Sequence, residues 1–168
     1  MTELEQKQTF EKWLAQYKAL IFKIVRAYAR SAMDQQDLFQ EITIQLWRSI
    51  PSFRGESAVA TWVYRIALNT AIKWIKKERR QNELQQSQEF QQLLLENKIE
   101  ADHRLSWLYE EIRKLDEIDK SVALLLLEGF SYKEMSTILG ITESHVGVKI
   151  NRIKKQLISK SKNYDYGA

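Results

Sequence analysis

Ser131 to Lys155 reads SYKEMSTILGITESHVGVKINRIKK, and the spacing of its apolar residues decides the fold. Met135, Ile138 and Leu139 form an apolar face at helical spacing. Gly140 stands where a sharp turn needs a positive φ, and Thr142 is a natural N-cap for a second helix. Val146, Ile150, Ile153 and Leu157 then recur at four, three and four residues, one buried stripe on that second helix. Its other faces carry Ser144, His145, Lys149, Arg152, Lys154 and Lys155. This is a helix-turn-helix whose second helix is basic: Val146 to Lys162 holds six Lys or Arg and no Asp or Glu. A major groove admits such a helix, with polar side chains reaching base edges and cations reaching phosphates.

Outward from that hairpin the same periodicity persists. With five glycines and one proline in 168 residues there is little material for sheet turns. Phe10, Trp13, Leu14, Tyr17, Leu20, Ile21, Ile24, Val25 and Tyr28 predict a first helix with a broad apolar face. Asp34 is the expected cap of a second helix, with Asp37 in its first turn, running to about Trp47. Residues 50–57, IPSFRGES, hold the sole proline and are expected to form a loop, with Ser57 capping a long third helix. That helix passes Trp62, Ile66, Ile72 and Ile75 and ends in Lys76, Lys77, Arg79 and Arg80. Six glutamines among residues 81–92 mark a linker. Leu105, Leu108, Ile112 and Leu115 predict a further helix, and Asp119 to Glu128 another, stopped by Gly129. The expected fold is all-α: two small helical domains, residues 1–80 and 105–168, joined by a linker at 81–104. The second domain is a helix-turn-helix of winged-helix-like type.

Charge separates along this plan. Trp47 to Arg80 carries eight basic and two acidic residues, whereas Gln81 to Glu111 carries two basic and seven acidic. Both basic blocks call for an anionic partner. The absence of cysteine excludes a disulfide framework and thiol chemistry, and two histidines without cysteine leave no structural zinc set. The longest strongly apolar run, Val122 to Leu127, is too short to span a bilayer, and the N-terminal MTELEQKQTFEKW is unlike a secretory signal. A cytoplasmic chain with no membrane insertion is expected. No paired carboxylates adjoin a glycine-rich pocket, no nucleophile accompanies a histidine, and no P-loop is present. Neither an enzyme, nor a metal or other cofactor, nor a small-molecule substrate is expected.

The segment Asp34 to Arg80 resembles the promoter-recognition domain of bacterial sigma factors, in particular the small extracytoplasmic-function (ECF) group. The matching pieces are DLFQE at 37–41, LW at 46–47, FRGES at 53–57 and TWVYRIALNTA at 61–71, in order and at the family's spacing. The helix-turn-helix is similar to the family's second conserved domain. The resemblance implies a specificity subunit of RNA polymerase that recognises the −35 and −10 promoter elements and helps open the latter. It implies core-polymerase contacts at Asp37, Leu38, Gln40, Glu41, Leu46 and Trp47. For the −10 element it implies the loop Phe53, Arg54, Gly55, Glu56 and Ser57 together with Asn69, whose amide can read an extruded base. Arg65, Lys73, Lys76 and Lys77 are expected on phosphates.

Trp62 and Tyr64 are further candidates there as stacking platforms, although a Trp at helical spacing with Ile66 is more often core, and core packing is the favoured reading of Trp62. For the −35 element the implied reading face is Ser144, His145, Gly147, Val148, Lys149 and Arg152, with Lys154 and Lys155 on phosphates. Here the chain departs from common relatives, which often carry Thr at His145 and a basic residue and a serine at Gly147 and Val148. Leu115-Asp116 also replaces a frequent Leu-Pro. The family usually works with an anti-sigma protein, so the expected partners are polymerase core, promoter DNA and such an inhibitor. A stand-alone helix-turn-helix regulator with a dimerising front half is the competing reading.

Overall fold

Helices begin where a short polar side chain can take the amides that the first turn leaves free, and such caps set the frame of this chain. The computed structural model describes residues 1–82 and 103–164. Helix α1 (Glu3–Tyr28) starts at Thr2, whose hydroxyl accepts from the Glu5 amide while the Glu5 carboxylate accepts from the Thr2 amide. Helix α2 (Ala32–Ser49) is capped by Ser31, whose hydroxyl accepts from the Asp34 amide at 3.0 Å. The sequence places that cap at Asp34, three residues late. Ser31 provides the hydroxyl, and Asp34 completes the first turn as its helix-dipole anion. A short 3₁₀ turn (Ile50–Ser52) comes next, then the loop, then α3 (Val59–Asn82). The first turn of α3 closes on the Ala58 carbonyl, one residue beyond the expected Ser57.

These three helices form one compact unit. Leu38, Ile42 and Leu46 of α2 stand at i, i+4 and i+8 and meet Ile21, Ile24 and Val25 of α1 and Val63, Tyr64, Ala67 and Leu68 of α3 in its core. Fully burying each Val, Leu or Ile among them contributes roughly 1.5–3 kcal/mol. Of the expected linker at 81–104, Gln81 and Asn82 still belong to α3, His103 and Arg104 begin the next described helix, and residues 83–102 lie outside the described residues.

The second unit contains α4 (His103–Arg113), α5 (Glu117–Leu127), α6 (Tyr132–Leu139) and α7 (Glu143–Ser161). Helix α5 starts two residues before the expected Asp119, because the Asp116 carboxylate accepts from the Asp119 amide at 2.8 Å. That capping bond gives Asp116 a physical reason to stand where relatives carry proline. At the other end Gly129 has φ 79°, and the Gly129 and Phe130 amides donate to Leu126 and Leu125, the paired bonds that stop a helix. Helices α6 and α7 are the helix-turn-helix. Ser131 and Glu134 build a reciprocal cap for α6, Gly140 turns at φ 68°, and Thr142 caps α7 by accepting from the His145 amide. The Ser136 hydroxyl donates to the Ile141 carbonyl and ties the turn to α6. Met135, Ile138, Val146, Ile150 and Ile153 are buried in this unit, along with Val122, Leu124 and Leu125 of α5. No strand occurs among the described residues, so no β wing accompanies the hairpin there.

Candidate nucleic-acid interface

In the first unit, α2 and α3 leave a groove of about 570 Å³ between them. Asp37, Glu41, Gln45 and Arg48 succeed one another at helical spacing along one wall, and Ile66, Asn69, Thr70, Lys73 and Lys77 along the other. The Trp74 indole donates to the Asp37 carboxylate at 3.1 Å, and Gln45 donates to Glu41 at 2.9 Å. Both acids therefore stand in fixed orientations. Glu78 closes one end, and burial, then the charges of Asp34 and Asp37, raise its carboxyl above the ordinary value. The groove thus brings together residues that the sequence assigns to two different partners: Asp37 and Glu41 to polymerase, Asn69, Lys73 and Lys77 to DNA.

Exposure divides the remaining assignments. Gln40 is exposed and Trp47 half-buried, its ring meeting Phe10 edge to face at 5.5 Å. Leu38 and Leu46, however, are completely buried and belong to the hydrophobic core, so they support the α2 face from beneath and touch no partner. On α3, Arg65, Asn69, Lys73, Lys76 and Lys77 share one exposed stripe at i, i+4, i+8 and beyond.

The loop has a root and a tip. Phe53 packs between Trp13 at 5.1 Å and Trp62 at 5.4 Å, and the Trp62 indole donates to the Ser49 hydroxyl. Phe53 and Trp62 thus make packing contacts, in line with the favoured core reading of Trp62, and Tyr64 is fully buried and cannot offer its ring to a base. Arg54, Gly55 and Glu56 are exposed, Ser57 is half-buried, and Gly55 takes φ 72°, a conformation that other residues adopt only with strain.

In the second unit α7 turns Ser144, His145, Val148, Arg152, Lys154 and Lys155 to solvent. Asn151 is exposed among them, an amide with donor and acceptor that sequence reasoning passed over. The helical wheel contains the signal: at 100° per residue it falls about 130° from the centre of the apolar stripe. Gly147 has a neighbour within the unit, the ring of Tyr132, whose Cε2 would lie 3.4 Å from a β-carbon at that position. One expectation changes here. Lys149 does not present its ammonium outward. Its side chain is only 12% exposed, and Nζ donates to Asp119 Oδ1 at 2.7 Å. Arg152 donates to Asp119 Oδ2 at 2.6 Å but remains 59% exposed. Further along, Lys160 lies 2.9 Å and Lys114 2.8 Å from the buried Glu111 carboxylate, and the Lys114 hydrogen bond, with the ion pair to Lys160, holds that acid below its ordinary value despite burial.

The first unit thus carries a mixed-charge groove and the second a helix-turn-helix whose outer face is basic. Comparison with known proteins gives the class. Residues 13–81 match the sigma-70 region 2 family and residues 105–157 the sigma-70 region 4 family. The RNA polymerase sigma-H factor of Pseudomonas aeruginosa is 27% identical, with 90% of this chain and 85% of that protein aligned. The ECF RNA polymerase sigma-E factor of Haemophilus influenzae is 29% identical over 92% of this chain and 88% of its own length. Among solved structures, CnrH in complex with the cytosolic domain of CnrY is similar at TM-score 0.70 and 18% identity, covering 95% of this chain and 91% of that one. The sigma factor RpoE in complex with the anti-sigma factor NepR from Bartonella quintana gives TM-score 0.72 and 16% identity, covering 92% and 98%.

The chain belongs to the ECF sigma factors of bacterial RNA polymerase. It is a promoter-recognition subunit for transcription initiation, from a family of non-catalytic factors. The match to region 2 removes the stand-alone regulator. Among the described residues no helix is long and apolar enough to cross a membrane.

Proposed function

We propose that polymerase docking and −10 strand capture occupy opposite walls of the α2–α3 groove, and that α7 reads the −35 element. The observation that carries this reading is the meeting of Asp37 and Glu41 with Asn69 and Lys73 in one groove. Asp37, Gln40, Glu41 and the outer edge of Trp47 dock on core polymerase. Asn69 reads a base extruded from the −10 element, and the tip Arg54 to Ser57 closes over it on its aromatic root. A few kcal/mol of unstacking must be offset there by hydrogen bonds to the base edge. Arg65, Lys73, Lys76 and Lys77 hold strand phosphates. On α7, Ser144, His145, Val148, Asn151 and Arg152 face the major groove, where Val148 suits a thymine methyl, and Lys154 and Lys155 take phosphates.

Residues 1–80 and 105–168 act as the two functional domains, with 81–104 between them, in the cytoplasm and with no reaction catalysed by the chain itself. An anti-sigma protein is a natural partner, since two structural neighbours are complexes of that kind or with a cytosolic domain.

Reconstitution with core polymerase tests the groove. Asn69→Ala is expected to reduce −10 opening, monitored by permanganate reactivity of the unpaired strand, by about 10-fold, the scale of one base contact. Core binding should be unchanged. Loss of core binding with normal opening would reverse the assignment of the two walls.

A further inference from the structure

The Asp119 carboxylate is nine-tenths buried, and both its oxygens are taken by cations of the recognition helix. Lys149 reaches it from an almost dry position, while Arg152 reaches it with one guanidinium nitrogen and stays mostly in solvent. A lysine or arginine left free beside DNA seeks the nearest phosphate, which adds affinity without sequence information. A guanidinium held at one nitrogen by a carboxylate keeps its remaining N–H groups in a fixed plane, as bidentate reading of guanine requires. We propose that Asp119 is a specificity-determining positioning residue for α7. It withdraws Lys149 from the DNA surface and fixes Arg152 in one orientation at the groove, and it touches no DNA itself. The inference rests on the reading of α7 as the −35 contact.

The test uses the full chain assembled with core polymerase. One DNA is a promoter selected by the wild-type holoenzyme from a random pool, and the other is the same promoter with its upstream element scrambled. Binding of both is measured through a salt series. Asp119→Asn keeps the shape and removes the charge. Discrimination between the two DNAs is expected to fall 10-fold or more, through tighter binding of the scrambled one. The salt dependence should steepen by about one to two phosphate contacts, at roughly 0.9 in slope each. A role in folding alone gives a different result: both DNAs weaken together in step with a lower melting temperature, at unchanged slope, which overturns the proposal.

Should Asp119→Asn fail to fold, Asp119→Asn with Lys149→Met removes the buried charges as a pair and frees only Arg152. Its slope should then steepen by about one contact. Unaltered discrimination and slope in that folded double variant also overturn the proposal. A wild-type holoenzyme that binds matched and scrambled DNA equally would instead defeat the underlying reading of α7.

Discussion

The two units use charge in opposite ways. In the first, Asp37, Glu41 and Glu78 share an open groove with Arg48, Lys73 and Lys77, and the cations of the α3 stripe stand exposed. In the second, two buried acids each take two cations: Asp119 takes Lys149 and Arg152, and Glu111 takes Lys114 and Lys160. The carboxyl groups shift accordingly. Glu78 is raised by burial beside other acids, while Glu111 is lowered by the lysines paired with it. A surface with open charge suits partners that bring their own counter-charges. A surface with neutralised interior charge suits one fixed presentation of a reading helix.

The comparison breaks most readily at Asp119. Asp119→Ala deprives Lys149 of its buried partner and drives it out to solvent, and up to about 3 kcal/mol of the second unit's stability is expected to be lost. Asp37→Ala in the first unit removes one hydrogen bond at an exposed site and should cost about 1 kcal/mol. Amide hydrogen exchange in the two units measures both, and equal costs would dissolve the contrast.

Gly147 offers a smaller effect of opposite sign. A methyl there meets the Tyr132 ring at ordinary contact distance, so Gly147→Ala should stabilise the second unit by about 0.5–1 kcal/mol through lost chain entropy in the unfolded state. A destabilised variant would show that the ring cannot share that space.

The subtlest difference lies in pH. Glu111 has a depressed folded pKa, so its contribution is present above the unfolded value of 4.5 and is lost as pH falls through the folded one. Glu78 has a raised folded pKa, so its ionisation costs stability at neutral pH, and the cost vanishes below the same unfolded value. Glu111→Gln should therefore weaken its unit at neutral pH and Glu78→Gln should strengthen its own, with both differences shrinking on acidification. Parallel pH profiles for the two variants would break the contrast.

Most of the fold was legible because helical periodicity is local. The stripe Val146, Ile150, Ile153, Leu157, the turn at Gly140 and the cap at Thr142 each depend on neighbours within a turn or two. Caps were less so, since Ser31 and Asp34, or Asp116 and Asp119, are chemically interchangeable until the chain direction selects one. The candidate site was legible only in part. Leu38 and Leu46 look like surface motif residues in sequence, yet their i, i+8 spacing with Ile42 already places them on the buried stripe. Lys149 was lost for a deeper reason. Its partner Asp119 lies 30 residues away, and no periodicity reports a pairing across that distance.

Phe53, seated between Trp13 and Trp62, separates what holds the loop from what the loop offers. Four residues, Arg54 to Ser57, hang from this mount with only Gly55 tied to a backbone requirement. On the proposed reading of this loop, promoter preference at that point is a replaceable part. Exchanging the tip while Phe53 and Gly55 are kept is a graft onto a finished frame, and it asks nothing new of the core.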